Sequence, residues 1–269
     1  MKHIVFIVFA LTMSTTLMAQ ENKKPKNSRK EQKRQRINQM IRQEEEGVIA
    51  YKKHFAAGIK LINDGYGIFA EKGKGQSVKK SLLFQFEIDE RKHNKEEKEN
   101  KAIATGAPIV IGKLNFFYPV KLGVQQQILL GNKSNKNGVS ITGNAGGGLT
   151  IGLLRPYEIE VTDPNTNQRK WVYYDSPDSA LYLQGLSDPT TSGPTLGKGW
   201  SHMKITPGAY VKTAVRFDYG AYNEMINAIE VGVSAEFYSK KIPQMLQNKQ
   251  RQFFFNAYFA LMFGKRKGK

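Results

Sequence analysis

The chain has 269 residues, a formal net charge of +18 and no cysteine. The missing cysteines exclude a thiolate zinc site, a disulfide framework, a cysteine nucleophile and the lipid-bearing cysteine of a bacterial lipoprotein. A mean hydropathy of −0.49 is too polar for a bundle of membrane-spanning helices.

The first residues, "MKHIVFIVFALTMSTTLMAQ", place Lys2 and His3 before an apolar run, Ile4 to Leu11, and then small and polar residues up to Ala19. This is the layout of a secretory signal peptide over 1–19, cleaved after Ala19. The run is too short to cross a hydrocarbon core of about 30 Å as a helix. No later segment offers about 18 continuous apolar residues, so no transmembrane helix is expected in the mature chain.

Residues 20–47 form a basic, charge-rich arm. Ser28 followed by Glu31 is a capping-box pattern, and a polar helix is predicted from about Arg29 to Glu46. Its apolar positions, Ile37, Met40 and Ile41, make only a thin stripe. The arm reads either as a periplasmic element that docks on a partner or anionic surface, or as a solvated tail.

After Val48 the pattern changes to strict alternation, the signature of strands. In 118–130, Tyr118, Val120, Leu122, Val124, Ile128 and Leu130 share one face with Gln126. Lys121, Gln125 and Gln127 lie on the other with Pro119, Gly123 and Leu129. Segments 203–219 and 224–239 behave alike. Eight strands are predicted, at 54–62, 66–73, 80–88, 116–131, 138–154, 202–219, 224–240 and 252–264. Several exceed the roughly 9–11 residues that a tilted strand needs to cross a bilayer. An apolar face opposite a charged one, in an exported chain, is what a transmembrane barrel requires. The fold class read from the sequence is therefore all-β, an antiparallel transmembrane β-barrel of about eight strands over 48–269, preceded by a short N-terminal α-helix. An even strand count puts both termini in the periplasm. "KGQSVKK", "NKSNKNG" and "GAYN" become short periplasmic turns, and 89–107 and 155–201 become long external loops. "NDG" at 63–65 is read as the one short external connection.

These features together resemble the small outer-membrane β-barrel proteins of Gram-negative bacteria, over about residues 48–264. The last strand, "FFFNAYFALMF", carries the resemblance furthest, with Phe253, Phe255, Ala257, Phe259, Leu261 and Phe263 on one face. The resemblance implies that Phe255, Phe259 and Phe263 form the strand signal read by the barrel-assembly machinery. It also implies an outer-membrane location among lipids and lipopolysaccharide. One departure is that the chain continues beyond the aromatic strand with "GKRKGK".

The lumen face is predicted to carry Lys60, Gln85, Glu87, Lys121, Gln125, Gln127, Lys212, Arg216, Asp218, Glu230 and Glu236. An eight-stranded barrel is just wide enough to be filled by side chains, so an ion-paired plug is expected rather than a pore. Lys212 and Arg216 are expected to pair across strands with Glu230 and Glu236, subject to register. The glycine run "ITGNAGGGLTIG" lacks the lysine of a Walker loop and the spacing of a dinucleotide fingerprint. Read by parity it is a strand whose Gly146, Gly148 and Gly152 thin the lumen face, leaving room for Tyr210, Lys212 or Arg216.

No catalytic residue, metal site or cofactor is expected. Ser201 and His202 are neighbours that point apart on a strand, and no acidic partner is evident. Export, and concentration of positive charge in the arm and tail without a recognisable motif, argue against nucleic acid. The function expected is a structural or accessory subunit of an envelope assembly or protein-secretion complex, with partner contacts through the N-terminal arm and outer loops. The alternatives are a small-solute transporter or porin, and a lipid-modifying barrel enzyme.

Overall fold

Wherever the sequence alternates over ten residues or more, the chain forms a strand of one closed sheet. The computed structural model describes residues 31, 34–35, 52–77, 79–100, 107–133, 138–220 and 224–267. The chain divides into two units, Met1–Gly47 and Val48–Lys269. In the first, Glu31, Arg34 and Gln35 are helical and exposed, inside the helix read at 29–46. The signal peptide and the remainder of the arm lie outside the described residues.

The second unit runs β1 (Lys53–Ile62), β2 (Gly65–Gly75), β3 (Lys80–Arg91), β4 (Lys98–Glu99), β5 (Ile109–Val110), β6 (Asn115–Gly131) and β7 (Ser140–Pro156). It continues with β8 (Ile159–Thr162), β9 (Arg169–Val172), α1 (Ser179–Gly185), a 3-10 turn at Trp200–His202, β10 (Lys204–Asp218), β11 (Met225–Ile242) and β12 (Arg251–Lys267). Eight of these strands close into an antiparallel ring in the order β1-β12-β11-β10-β7-β6-β3-β2. The eight ring strands match the eight read from the sequence, with ends extended by up to three residues or shortened by up to two. β10 begins at Lys204, so Ser201 and His202 stand in the 3-10 turn, in contact with each other, and not on a strand. Closure leaves no sheet edge, so backbone donors and acceptors are met within the sheet.

The side-chain pattern inverts the usual rule of water-soluble proteins. On β1, Ile59 and Leu61 are more than half exposed while His54 and Lys60 are buried. On β7, Leu149 is 72% exposed and Thr150 is 1% exposed. The ring is apolar outside and polar inside, the arrangement of a barrel whose outer face contacts lipid. On β12, Phe253, Phe255, Phe259 and Phe263 all point outward.

Three details differ from the sequence reading. The connection 243–250, between β11 and β12, lies at the same rim as "NDG", so that turn is not the one short connection there. The long connections are not plain loops. They hold β4–β5, the β8–β9 hairpin, α1 and a separate apolar core of Ile109, Val110, Tyr157, Ile159, Val161, Val172 and Tyr182. This folded cap contacts 243–246: the Leu114 amide donates to the Gln244 carbonyl at 2.8 Å and the Leu246 amide to the Gly112 carbonyl at 2.7 Å. Finally, the basic tail is not separate from the last strand, since β12 runs through Lys267, which pairs with Lys53 of β1.

Candidate functional site

Burying charge in a narrow barrel is costly unless each charge meets a partner. The lumen meets this need with a network that crosses the ring. Arg216 of β10 makes a two-pronged contact with Glu71 of β2, at 2.7 and 2.8 Å, and also donates to Glu230 of β11 at 2.7 and 2.9 Å. β10 and β2 stand opposite each other in the ring, so this bridge spans the lumen. Such forked arginine–carboxylate contacts are short and directional. Arg91 of β3 reaches Glu236 on the opposite strand β11 and Asp64 at 3.4 Å.

The lysines fill the space between. Lys121 Nζ lies 3.0 Å from Glu87, 2.7 Å from Asp89 and 2.8 Å from Glu236. Lys60 pairs with Glu87 and lies 3.1 Å from Asp89. Lys212 lies 3.5 Å from Glu87 and 3.8 Å from Glu230. Neutral groups complete the acceptors and donors. Tyr258 and Asn144 donate to Glu230 at 2.8 and 2.9 Å, Tyr238 donates to Glu236 at 2.8 Å, and Gln125 donates to Gln85. Asp218 sits nearer the short-turn rim and pairs with Arg266.

Apolar layers bound this network. Toward the cap, Phe117, Leu154, Tyr238, Ile242 and Phe254 pack together, with ring centroids 5.4–5.8 Å apart. Toward the other rim, Ala56, Phe69, Ala214, Ala228, Tyr258, Ala260 and Met262 form a second cluster.

The lumen residues read from parity, Lys60, Glu87, Lys121, Gln125, Lys212, Arg216, Asp218, Glu230 and Glu236, are all buried here. Their pairing departs from expectation in one respect. Arg216 and Glu230 are register partners, but Lys212 stands opposite Ser234 and Tyr210 opposite Glu236. Glu236 is therefore taken by Lys121 and Arg91. Sequence reading missed Glu71, Asp89 and Arg91. Asp89 and Arg91 lie beyond residue 88, where the strand expected from the sequence ends and β3 continues. Glu71 shares a parity with Gly67 and Phe69, and that parity was available to reveal it.

The glycines serve another neighbour than the one expected. A Cβ at Gly146 would strike the Val124 carbonyl and Gln125, and one at Gly148 would strike the Leu122 carbonyl and Gly123. These two positions let β7 approach β6 closely. The Tyr210 ring is accommodated at Gly123 of β6, and Gly152 lies under Phe117 and Tyr238, whose ring atoms would stand 2.9 and 3.0 Å from a Cβ.

In the cap, Tyr182 donates to the Lys113 carbonyl at 2.5 Å, and the Val110 amide donates to the Tyr157 hydroxyl at 2.7 Å. Burial pushes the Tyr157 phenol up to about 12. Burial lowers the Lys113 ammonium, opposed by Glu96 beside it, and the ammonium lies 4.3 Å above the Phe116 ring. Glu158 supplies the acidic neighbour of His202 that the sequence did not reveal. Ser201 Oγ and Glu158 Oε1 both approach the same ring nitrogen, Nδ1, at 3.1 and 3.2 Å. A serine relay needs the acid on one nitrogen and the nucleophile on the other, so this arrangement is not such a relay. No group of three metal-ligating side chains occurs among the described residues.

A closed ring of eight antiparallel strands, lipid-compatible outside and ion-paired inside, defines a transmembrane barrel with the architecture of the small outer-membrane barrels. No protein-family model and no curated relative matches the sequence. Among solved structures, Neisserial surface protein A is 8% identical, covering 80% of this chain and 95% of that one, with a TM-score of 0.36. Ail, the attachment invasion locus protein of Yersinia pestis, is 8% identical, covering 81% and 100%, with a TM-score of 0.39. The N-terminal β-barrel domain of Pseudomonas aeruginosa OprF is 8% identical, covering 80% and 98%, with a TM-score of 0.34. The fold assignment stands on the strand pairing and the inverted polarity, independently of these likenesses.

Proposed function

We propose that the protein is a sealed outer-membrane barrel that anchors a folded cap outside the cell and a basic arm in the periplasm. It acts as a structural or accessory subunit of an envelope assembly, protein-secretion complexes included. One observation carries the reading: the Arg216–Glu71 and Arg91–Glu236 bridges join opposite strands across the lumen, between two apolar layers. A path for solutes would have to break these pairs. Both ends of the sheet, Lys53 and Lys267, meet at the short-turn rim, which supports placing both termini on the periplasmic side.

Two measurements test the reading. The protein should fractionate with outer membranes and migrate faster on SDS gels before boiling than after it. In planar bilayers the pure protein should pass no steady current; a sustained open-channel current overturns the sealed reading. Affinity purification of the full chain from detergent extracts, against a chain lacking 20–47, tests the subunit role. Recovery of the same envelope proteins by both would remove the arm as the contact.

A further inference from the structure

Seven lysine and arginine side chains are buried among the described residues: Lys60, Arg91, Lys113, Lys121, Arg155, Lys212 and Arg216. Six have a carboxylate at ion-pair distance. Arg155 has none. It is 4% exposed, its Nε has no acceptor, and the hydrogen bond it makes runs from Nη1 to the Leu196 carbonyl at 3.2 Å. A buried guanidinium without a counter-charge is unusual, because its desolvation is uncompensated.

The position of Arg155 accounts for the missing anion. It lies near the cap end of β7, in register with Phe116 of β6, on the parity that carries Leu149 and Ile151 outward. Its guanidinium carbon is 4.0 Å from the Phe116 ring centroid, 4.8 Å from Trp200 and 5.8 Å from Tyr118. Tyr118 and Trp200 stack at 5.9 Å, and Leu196, from the same loop, is 90% exposed. Outward-facing tyrosine and tryptophan at one rim of a barrel mark the level of the lipid headgroups. Aromatic faces favour a cation but leave the Arg155 Nε–H without an acceptor, and a phosphate is the anion that this level of a membrane supplies.

We propose that Arg155 is the protein half of a site for the phosphate of a membrane lipid at the cap-side rim. The inference rests on the reading of the outward face as lipid-contacting. Folding is checked first by heat-dependent mobility, so a failure of that reading shows separately. The full-length protein in a phosphate-free, non-ionic detergent is titrated by native mass spectrometry with dimyristoyl phosphatidic acid and with dimyristoylglycerol, which differ only in the phosphate. The phosphate-bearing lipid is expected to bind about tenfold more tightly, as one charge-assisted contact implies. Arg155→Gln should abolish the preference, and Arg155→Lys should keep part of it, having charge without the planar fork. Inorganic phosphate should not compete at matched concentration. Equal binding of the two lipids to the native protein, or an unchanged preference in Arg155→Gln, overturns the proposal. Full competition by inorganic phosphate overturns the lipid assignment in favour of a free-anion site. If Arg155→Gln does not fold, the two-lipid comparison on the native protein still decides.

Discussion

The barrel and its cap are built by the same chain on opposite rules. In the ring Lys121, Arg216 and Glu230 are inside and Phe253, Phe255, Phe259 and Phe263 outside; in the cap Ile159, Val172 and Tyr182 are inside, while Lys170 pairs with Asp178, and Lys204 with Asp175, near the surface. The rule that is common to both is that each surface matches its solvent. Lipid cannot accept a hydrogen bond, so the barrel turns its polar groups inward and must satisfy them there. Water can, so the cap leaves charges such as Lys170, Asp175 and Asp178 at its surface, where their pairing matters little, and the buried Lys113 is paired with Glu96.

Substitutions break this contrast in a graded way. The largest effect is expected at the β6–β7 seam. Gly148→Leu puts a branched side chain against the Leu122 carbonyl, and no heat-modifiable barrel should be recovered, while cap-surface changes leave the barrel band intact. Next comes Arg216→Ala, which takes the arginine partner from both Glu71 and Glu230 in the lumen. Removing one partner of a buried pair costs about 3–5 kcal/mol, read as a lowered urea midpoint in detergent or vesicles. On the lipid face, Leu122→Lys should cost about 2–4 kcal/mol near the bilayer midplane, measured by reversible folding into vesicles. In the cap, Tyr182→Phe removes the bond to the Lys113 carbonyl at a cost of about 1 kcal/mol. It should speed proteolysis of 157–203 and leave heat-dependent mobility unchanged. The smallest effect belongs to Lys204→Ala, whose pairing with Asp175 is half-exposed and worth about 0–1 kcal/mol.

The barrel was readable from the sequence because lipid on one face and a filled lumen on the other enforce alternation over ten to eighteen residues. That signal placed Lys121, Lys212 and Glu230 inside and Leu122 and Phe255 outside. The cap was not readable, and the reason is length. β4, β5, β8 and β9 span two to four residues each, too few to display a period. Their core is assembled from segments far apart in sequence, such as Val110 with Tyr157 and Tyr182. The lumen partners were only partly readable. Parity tells which face a residue occupies but not which residue stands across the ring, and the Arg91–Glu236 and Arg216–Glu71 bridges depend on closure. Arg155 carried no sequence signal at all, because an arginine at the end of a strand normally reads as a solvated rim charge.

The seam between β1 and β12 sets the order of events in biogenesis. Lys53 pairs with Lys267 and Ile62 with Tyr258, so the first strand of the ring waits for the last. Until β12 is made, β1 has an open edge. The loop to be closed spans nearly the whole second unit, which makes closure slow for a free chain. A barrel zipped by β12 therefore cannot complete its ring until the whole ring sequence has been made.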